Sequence, residues 1–470
     1  MFSYIHEITD HLVMRRKAAG NLPRRAGDGL PHRPKRGTTG ERGISLVTTI
    51  LIVLLLSSIS VATFSLVISN NKISVNHLSY SQAFWLAEAA MERALHWLRY
   101  QDPPPGGVAP FDLFSNVSLG GGTYSAQIDP ADQNTSTYIK QYTIRATGSY
   151  GPATRRLEIQ VRMNTFGKYA YLTGDEGIGT IWFITGDVIE GPLHSNDQIA
   201  IYGSPTFLGR VTSSAASFRQ GGNYNPTFVE GYQLNAPPVH FPTQQEIIDN
   251  YWAVNDDPPQ LIIDARFGKR ASIKFNADGT ITYNVWHWEG SGSSRHKVYD
   301  IHNAVANLDD LNGIIFVKGS VRVWGTVNGQ VTLIATKNIV ITNDLIYADA
   351  DAVGRPNPTC DDILGLIAMR NVIIADTPPN RNDVIIDGAV LALNRSFYVQ
   401  HYDEGSPRGT IHLWGSLSQL VRGPVGTFSS WGTTGYQKDY HYDNRFLNTP
   451  PPYFPTTGGY DIFSWRELSN

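Results

Sequence analysis

Residues 44–68 read ISLVTTILIVLLLSSISVATFSLVI, and the rest of the chain is interpreted outward from this stretch. No charged side chain falls between Arg42 and Lys72. As a helix, such a run covers the ~30 Å hydrocarbon layer of a bilayer. A buried helix of a soluble domain would keep polar residues along one face, and this run does not. A cleaved secretory signal would have a shorter apolar core followed by a small-x-small site. The segment therefore reads as a single transmembrane helix. Upstream, residues 1–42 carry nine Lys or Arg against four acids; taking that surplus of five from the net charge of −3 leaves −8 for the remainder. Gly and Pro in NLPRRAGDGLPHRPKRGTTG disfavour a helix there. The basic flank precedes the apolar run and none follows, which places residues 1–42 in the cytoplasm and the bulk of the chain outside.

The helical pattern continues past the apolar run. In SQAFWLAEAAMERALHWLRY (81–100), Phe84, Ala87, Met91, Ala94 and Trp97/Leu98 recur at spacings of three and four, with Glu88, Glu92, Arg93 and Arg99 on the other side. Phe84, Ala87, Glu88, Met91 and Leu95 are taken as the residues through which this half packs. Pro103, Pro104 and Pro105 end the helix.

A basic leader, Gly43, an apolar stretch opening Ile44-Ser45-Leu46-Val47 and then Ala83-Phe84…Ala87-Glu88-Ala89 together resemble the N-terminus of type IV pilin-like proteins, in particular minor pilins of the PilX type. The resemblance covers residues 36–100. It implies a prepilin-peptidase cut between Gly43 and Ile44, methylation of the new N-terminus, and packing of the helix with other pilins on an assembly platform. Major pilins carry Glu at the fifth mature position, where this chain has Thr48. A buried carboxylate in a helix bundle needs a partner such as a neighbour's N-terminal amine. A subunit without it suits a filament tip. The leader is long for the class, and Met14 offers an alternative start.

The expected fold class is α+β, mostly β. A long pilin-like helix (44–102) follows the leader (1–43), and a small antiparallel sheet (106–165) packs on its second half. Next come the first rungs of a parallel β-solenoid, a right-handed β-helix (170–217), an insertion with a hairpin (218–312), further solenoid (313–425) and an irregular C-terminal strap (426–470). The solenoid rests on an internal repeat. LIATKNIVI (333–341) matches LIAMRNVII (366–374) and, more loosely, VLALNRSFYV (390–399), with starts 33 and 24 residues apart. Short strands closed by Gly, Asn or Asp fit an antiparallel sandwich as well, but the copies align in parallel and lack hairpin turns.

Charged residues are 17% of the 470 and the net charge is slightly negative, which speaks against a nucleic-acid partner. The lone Cys360 excludes an intrachain disulfide. No phosphate loop, dinucleotide fingerprint or HExxH occurs, and no cofactor is expected. Corner acids such as Asp344 and Asp387 read as turn caps rather than a catalytic pair. Asp349, Asp351, Asp361 and Asp362 flank one loop and are the candidate metal ligands, though their spacing matches no calcium motif; no metal is assigned. Asp439, His441 and Asp443 would share one face of a strand. His194-Ser195 lacks a nucleophile-elbow pattern. Trp286, Trp288 and the C-terminal tyrosines could stack on sugars, with packing under loops the plainer role. The expectation is a non-enzymatic minor pilin or pseudopilin in the cytoplasmic membrane, pilus or cell surface. Its partners would be other pilins, prepilin peptidase, membrane lipid and a surface glycan. The alternative is a membrane-anchored protein whose β-helix binds or cleaves polysaccharide.

Overall fold

The computed structural model describes residues 42–101, 105–107, 109–130, 141–177, 179–253, 261–429 and 432–469, so the expected leader lies outside them but for its last two residues. They divide into two units, one ending at Ile73 and one starting at Ser74. A single helix, α1 (Arg42–Arg99), contributes to both, and its 58 residues make about 87 Å at ~1.5 Å per residue.

Among the described residues of the first unit, α1 stands alone. Its large apolar side chains, from Leu46 to Ile73, are exposed. Hydroxyl residues interrupt the apolar surface, and four of them bond to carbonyls of the helix itself. Ser57 donates to Val53 O at 2.8 Å, Ser58 to Leu55 O at 2.8 Å, Ser60 to Leu56 O at 2.8 Å and Thr63 to Ser60 O at 2.9 Å. A hydroxyl bonded to a preceding turn asks nothing of water, which suits hydrocarbon or a helix bundle.

In the second unit the last turns of α1 lie on an antiparallel sheet. Its strands are β1 (Phe111–Leu119), β2 (Gly122–Asp129), β3 (Gln141–Tyr150) and β4 (Ala153–Thr165), and the fifth is the C-terminal strand Thr456–Leu468 beside β4. Leu86, Ala87, Ala90, Met91, Ala94, Leu95 and Leu98 form one core with Tyr124, Ile128, Ile144, Leu157, Ile159 and Val161. The helix presses close. A Cβ on Gly148 of β3 would collide with Ala83 O and Ala87 N and lie 2.9 Å from Leu86 Cβ.

The larger part is mostly short parallel strands. The repeat copies stack directly, with Leu333 beside Leu366 and Leu366 beside Val390. Their alternate residues fill one apolar interior (Leu333, Ala335, Leu366, Ala368, Val390, Ala392), while the intervening Ile334, Ile367 and Leu391 pack outward under helix α2 (Gln244–Ala253) through Ile247. The stack is not in chain order. Tyr171–Asp175 pairs in parallel with residues 417–421 on one side and 193–195 on the other, so sequence-distant segments meet at a seam.

Two expected boundaries differ from the structure. Much of 218–312, read as an insertion, belongs to the stack: Arg219–Gly221, Thr227–Phe228 and Tyr232–Gln233 continue it at one end, and Leu261–Ala265 and Arg270–Phe275 join it at the other. Strands of two or three residues are too short to show alternation. Residues 270–307 do form antiparallel hairpins, the first turning at Asp278-Gly279. The C-terminal stretch 426–470 is no irregular strap. It supplies Gly426–Ser429, Gly432–Tyr442 and the strand that completes the small sheet. Its Tyr436, Tyr440 and Tyr442 point into the interior, so the aromatic content reflects core residues at period two.

Candidate functional site

Gly43 and Ile44 lie in the first turns of α1, and Thr48 is exposed one turn on. The packing residues behave differently from one another. Ala87, Met91 and Leu95 are buried against the sheet, while Phe84 and Glu88 are half-buried at the margin of that face. Both meet a residue that the sequence reading did not single out, Trp465 of the C-terminal strand. Its ring lies edge-on to Phe84 at 6.5 Å between centroids. Burial pushes the Glu88 carboxyl up from its ordinary range; the Trp465 side chain, donating to it, works the other way, and the charge of Glu92 adds to the rise. The alternation in GGYDIFSWREL (458–468) was the available signal.

Arg93, on the other side of α1, lies over the Phe114 ring at 4.1 Å and donates to the Tyr124 hydroxyl. Glu158 of β4 accepts from Arg145 of β3 at 2.9 Å and from Arg466 at 2.7 Å, which ties the C-terminal strand across the sheet. The apolar, lipid-compatible half of α1 and the half locked onto the sheet are thus parts of one continuous element.

The other candidates resolve into local roles. Asp362 is buried and accepts from Gly329 N at 2.7 Å and Asp349 N at 3.3 Å, and Asp351 accepts from Val353 N and Arg355 N, which holds its carboxyl below the usual range. Asp361 is exposed, and its carbonyl accepts from Gln330. Among the described residues no three His, Cys, Asp or Glu are placed to hold a metal ion. Asp439 and His441 share a face, with His441 2.9 Å from Asp439 and 2.7 Å from Glu190, but Asp443 turns inward to pair with Arg445 at 2.7 Å. His194 bonds Thr212 and Asn196, while Ser195 donates to Glu176, so the adjacent Ser and His form no dyad. Lys297 covers Trp286 at 4.1 Å and Arg295 covers Trp288 at 5.0 Å.

At the seam lies a cluster of buried charge. Glu176 accepts from Arg422 at 2.7 Å, from Thr173 at 2.5 Å and from Ser195 at 2.8 Å, and Lys438 pairs with Asp187 at 2.7 Å. The Arg422 guanidinium sits 3.9 Å over the Phe183 ring. Each pair joins residues of 173–197 to residues of 422–438. Removing one partner would leave a buried charge unpaired in the interior.

Residues 137–216 match the model of a domain of unknown function (DUF4900). The match spans β3, β4 and the first parallel strands. No curated protein matches the chain. Among solved structures, the chain is similar to the competence-associated pilin ComZ from Thermus thermophilus, at 14% identity and a TM-score of 0.29, over 83% of this chain and 97% of that one. At that score the likeness is too distant to fix a shared architecture.

Proposed function

We propose that this chain is a structural, non-enzymatic minor pilin of the PilX type that enters a type IV pilus or related pseudopilus through α1. One observation carries the reading. A single helix has a first part apolar on every side and a last part whose small and apolar residues lock onto an antiparallel sheet. The first part inserts in the cytoplasmic membrane with the body outside, and prepilin peptidase cuts between Gly43 and Ile44. The freed helix then packs laterally with the helices of other pilins. Thr48, where a major pilin has Glu, leaves no carboxylate to seek a preceding subunit's amine, which suits a tip position. The parallel stack is read as a β-solenoid displayed beyond the membrane as an adhesive body.

Mass spectrometry of the N-terminus of the protein from native membranes or shed filaments tests this. The expected peptide begins at Ile44 and is N-methylated, and Gly43→Leu should leave the leader attached. An intact leader on the wild-type protein, or a cut beyond residue 68, would overturn the reading.

A further inference from the structure

We propose that the repeated corner of the parallel stack, carrying Lys337, Arg370 and Arg395, binds a linear polysaccharide that bears carboxylates. The repeat has a feature that the assembly role does not use. Each copy carries a cation beside an asparagine at its middle: Lys337-Asn338, Arg370-Asn371 and Asn394-Arg395.

The register brings these positions together. Ala335 pairs with Ala368 and Ile339 with Val372, so Lys337 and Arg370 are neighbours in the corners between those strands. Ala368 pairs with Ala392 and Val372 with Phe397, which leaves the third copy one residue longer. Asn371 Oδ1 accepts from Ser396 N at 3.2 Å, and this sets Arg395 beside Arg370. The result is a column of three cations with a strand spacing of ~4.8 Å between successive members.

The backbone under the column is held firmly. Asn338 Oδ1 accepts from the backbone N–H of Asn371 at 3.2 Å and from its Nδ2 at 3.3 Å, and Asn394 Nδ2 donates to Met369 O at 2.9 Å. All three cations are exposed, and among the described residues none forms an ion pair. Arg370 and Arg395 line a groove of about 730 Å³ with Asn371, Asn394, Ser396 and Tyr398, and among the described residues no carboxylate lines it. This volume lies within the roughly 300–1,000 Å³ typical of ligand sites. The column also stands out against a chain that carries −8 outside residues 1–42.

The chemistry of the groove selects the ligand. Three aligned cations, two of them in the groove, call for an anion repeated along a chain, and the carboxamides and hydroxyls beside them pair with sugar hydroxyls. Single-stranded nucleic acid would need successive aromatic platforms, and among the described residues the groove offers Tyr398 alone.

Such a polysaccharide would be the ligand of the displayed body proposed above, and its binding makes no use of α1, so it is tested separately from peptidase processing. The test uses full-length protein in detergent micelles, titrated onto immobilised polygalacturonate at several salt concentrations, with neutral dextran and single-stranded DNA as comparisons. The wild type should bind polygalacturonate in preference to both, with affinity falling as salt rises. K337Q/R370Q/R395Q should lose about tenfold or more, and each neutralised cation should lower the slope of log affinity against log salt by about one. Arg370→Glu alone should weaken binding severalfold with the unfolding midpoint unchanged, which separates loss of contact from loss of fold. Equal binding by wild type and triple variant would overturn the proposal. So would dextran bound as tightly as polygalacturonate, or single-stranded DNA bound more tightly.

Discussion

Asp387 offers the sharpest quantitative test of the fold. Its side chain is fully buried on the strand Val384–Ala392, where Oδ2 accepts from Tyr347 N at 2.8 Å and Oδ1 has no partner. Burial is the main cause that pushes its pKa up to about 8; the Asp443 and Asp351 charges add to the rise, against the Tyr347 N–H and Arg445. An unfolded Asp titrates near 3.9, and each unit of difference is worth ~1.4 kcal/mol. Between about pH 4 and pH 8 the folded protein therefore binds a proton that the unfolded chain does not, so stability falls as pH rises through that window and is level above it. The loss relative to pH 4 is about 4 kcal/mol at pH 7 and about 5 kcal/mol beyond pH 8. Asp387→Asn stays neutral throughout and keeps an oxygen for Tyr347 N–H. Its advantage over the wild type should be small at pH 4.5 and grow by somewhat over 1 kcal/mol per pH unit up to pH 8. Urea titrations followed by tryptophan fluorescence at pH 4.5, 6, 7 and 8.5 would measure it. A variant-minus-wild-type difference that stays flat across those four pH values would refute the burial of a proton-binding carboxyl.

Three further predictions probe the supports of the helix and the seam. Gly148→Val should push α1 off the sheet at a cost of about 1–3 kcal/mol or more, seen as a lower thermal midpoint and as faster proteolysis within residues 81–99. Glu176→Gln should cost about 3–5 kcal/mol, because Arg422 keeps its charge in the interior; the double change E176L/R422M should recover much of that loss, and equal losses in single and double variants would contradict a buried ion pair. Ending the chain at Pro455 removes the strand beside β4 together with Trp465 and Arg466, and hydrogen exchange should then rise across β3, β4 and residues 83–98 while the repeat strands 333–341 and 366–374 stay protected.

What could be read from the residues alone depended on whether the determining interactions were local. The helix was legible because both of its signals are local: an uncharged run from Gly43 to Asn71, then apolar residues at spacings of three and four up to Leu98. The stacking of residues 333, 366 and 390 was legible for a different reason. Strands that pair in register face the same interior, so they keep similar side chains in the same order, and the copies could be aligned by eye. Neither signal reaches the seam. Tyr171–Asp175 and residues 417–421 share no resemblance, and their pairing is set by what each buries: Tyr171, Tyr440 and Phe183 in the interior and the Glu176–Arg422 pair beside them. Trp465 escaped notice likewise, since its partners Phe84 and Glu88 lie almost 400 residues away in the sequence. The repeated cations fall between these cases. Lys337, Arg370 and Arg395 are visible in the copies, but only the register turns three scattered charges into one column. A repeat that needed only an apolar rung would be free to vary its exposed corner residue. That the corner keeps a positive charge in all three copies, unpaired with any acid among the described residues, is what an external anion would require and what the internal packing does not.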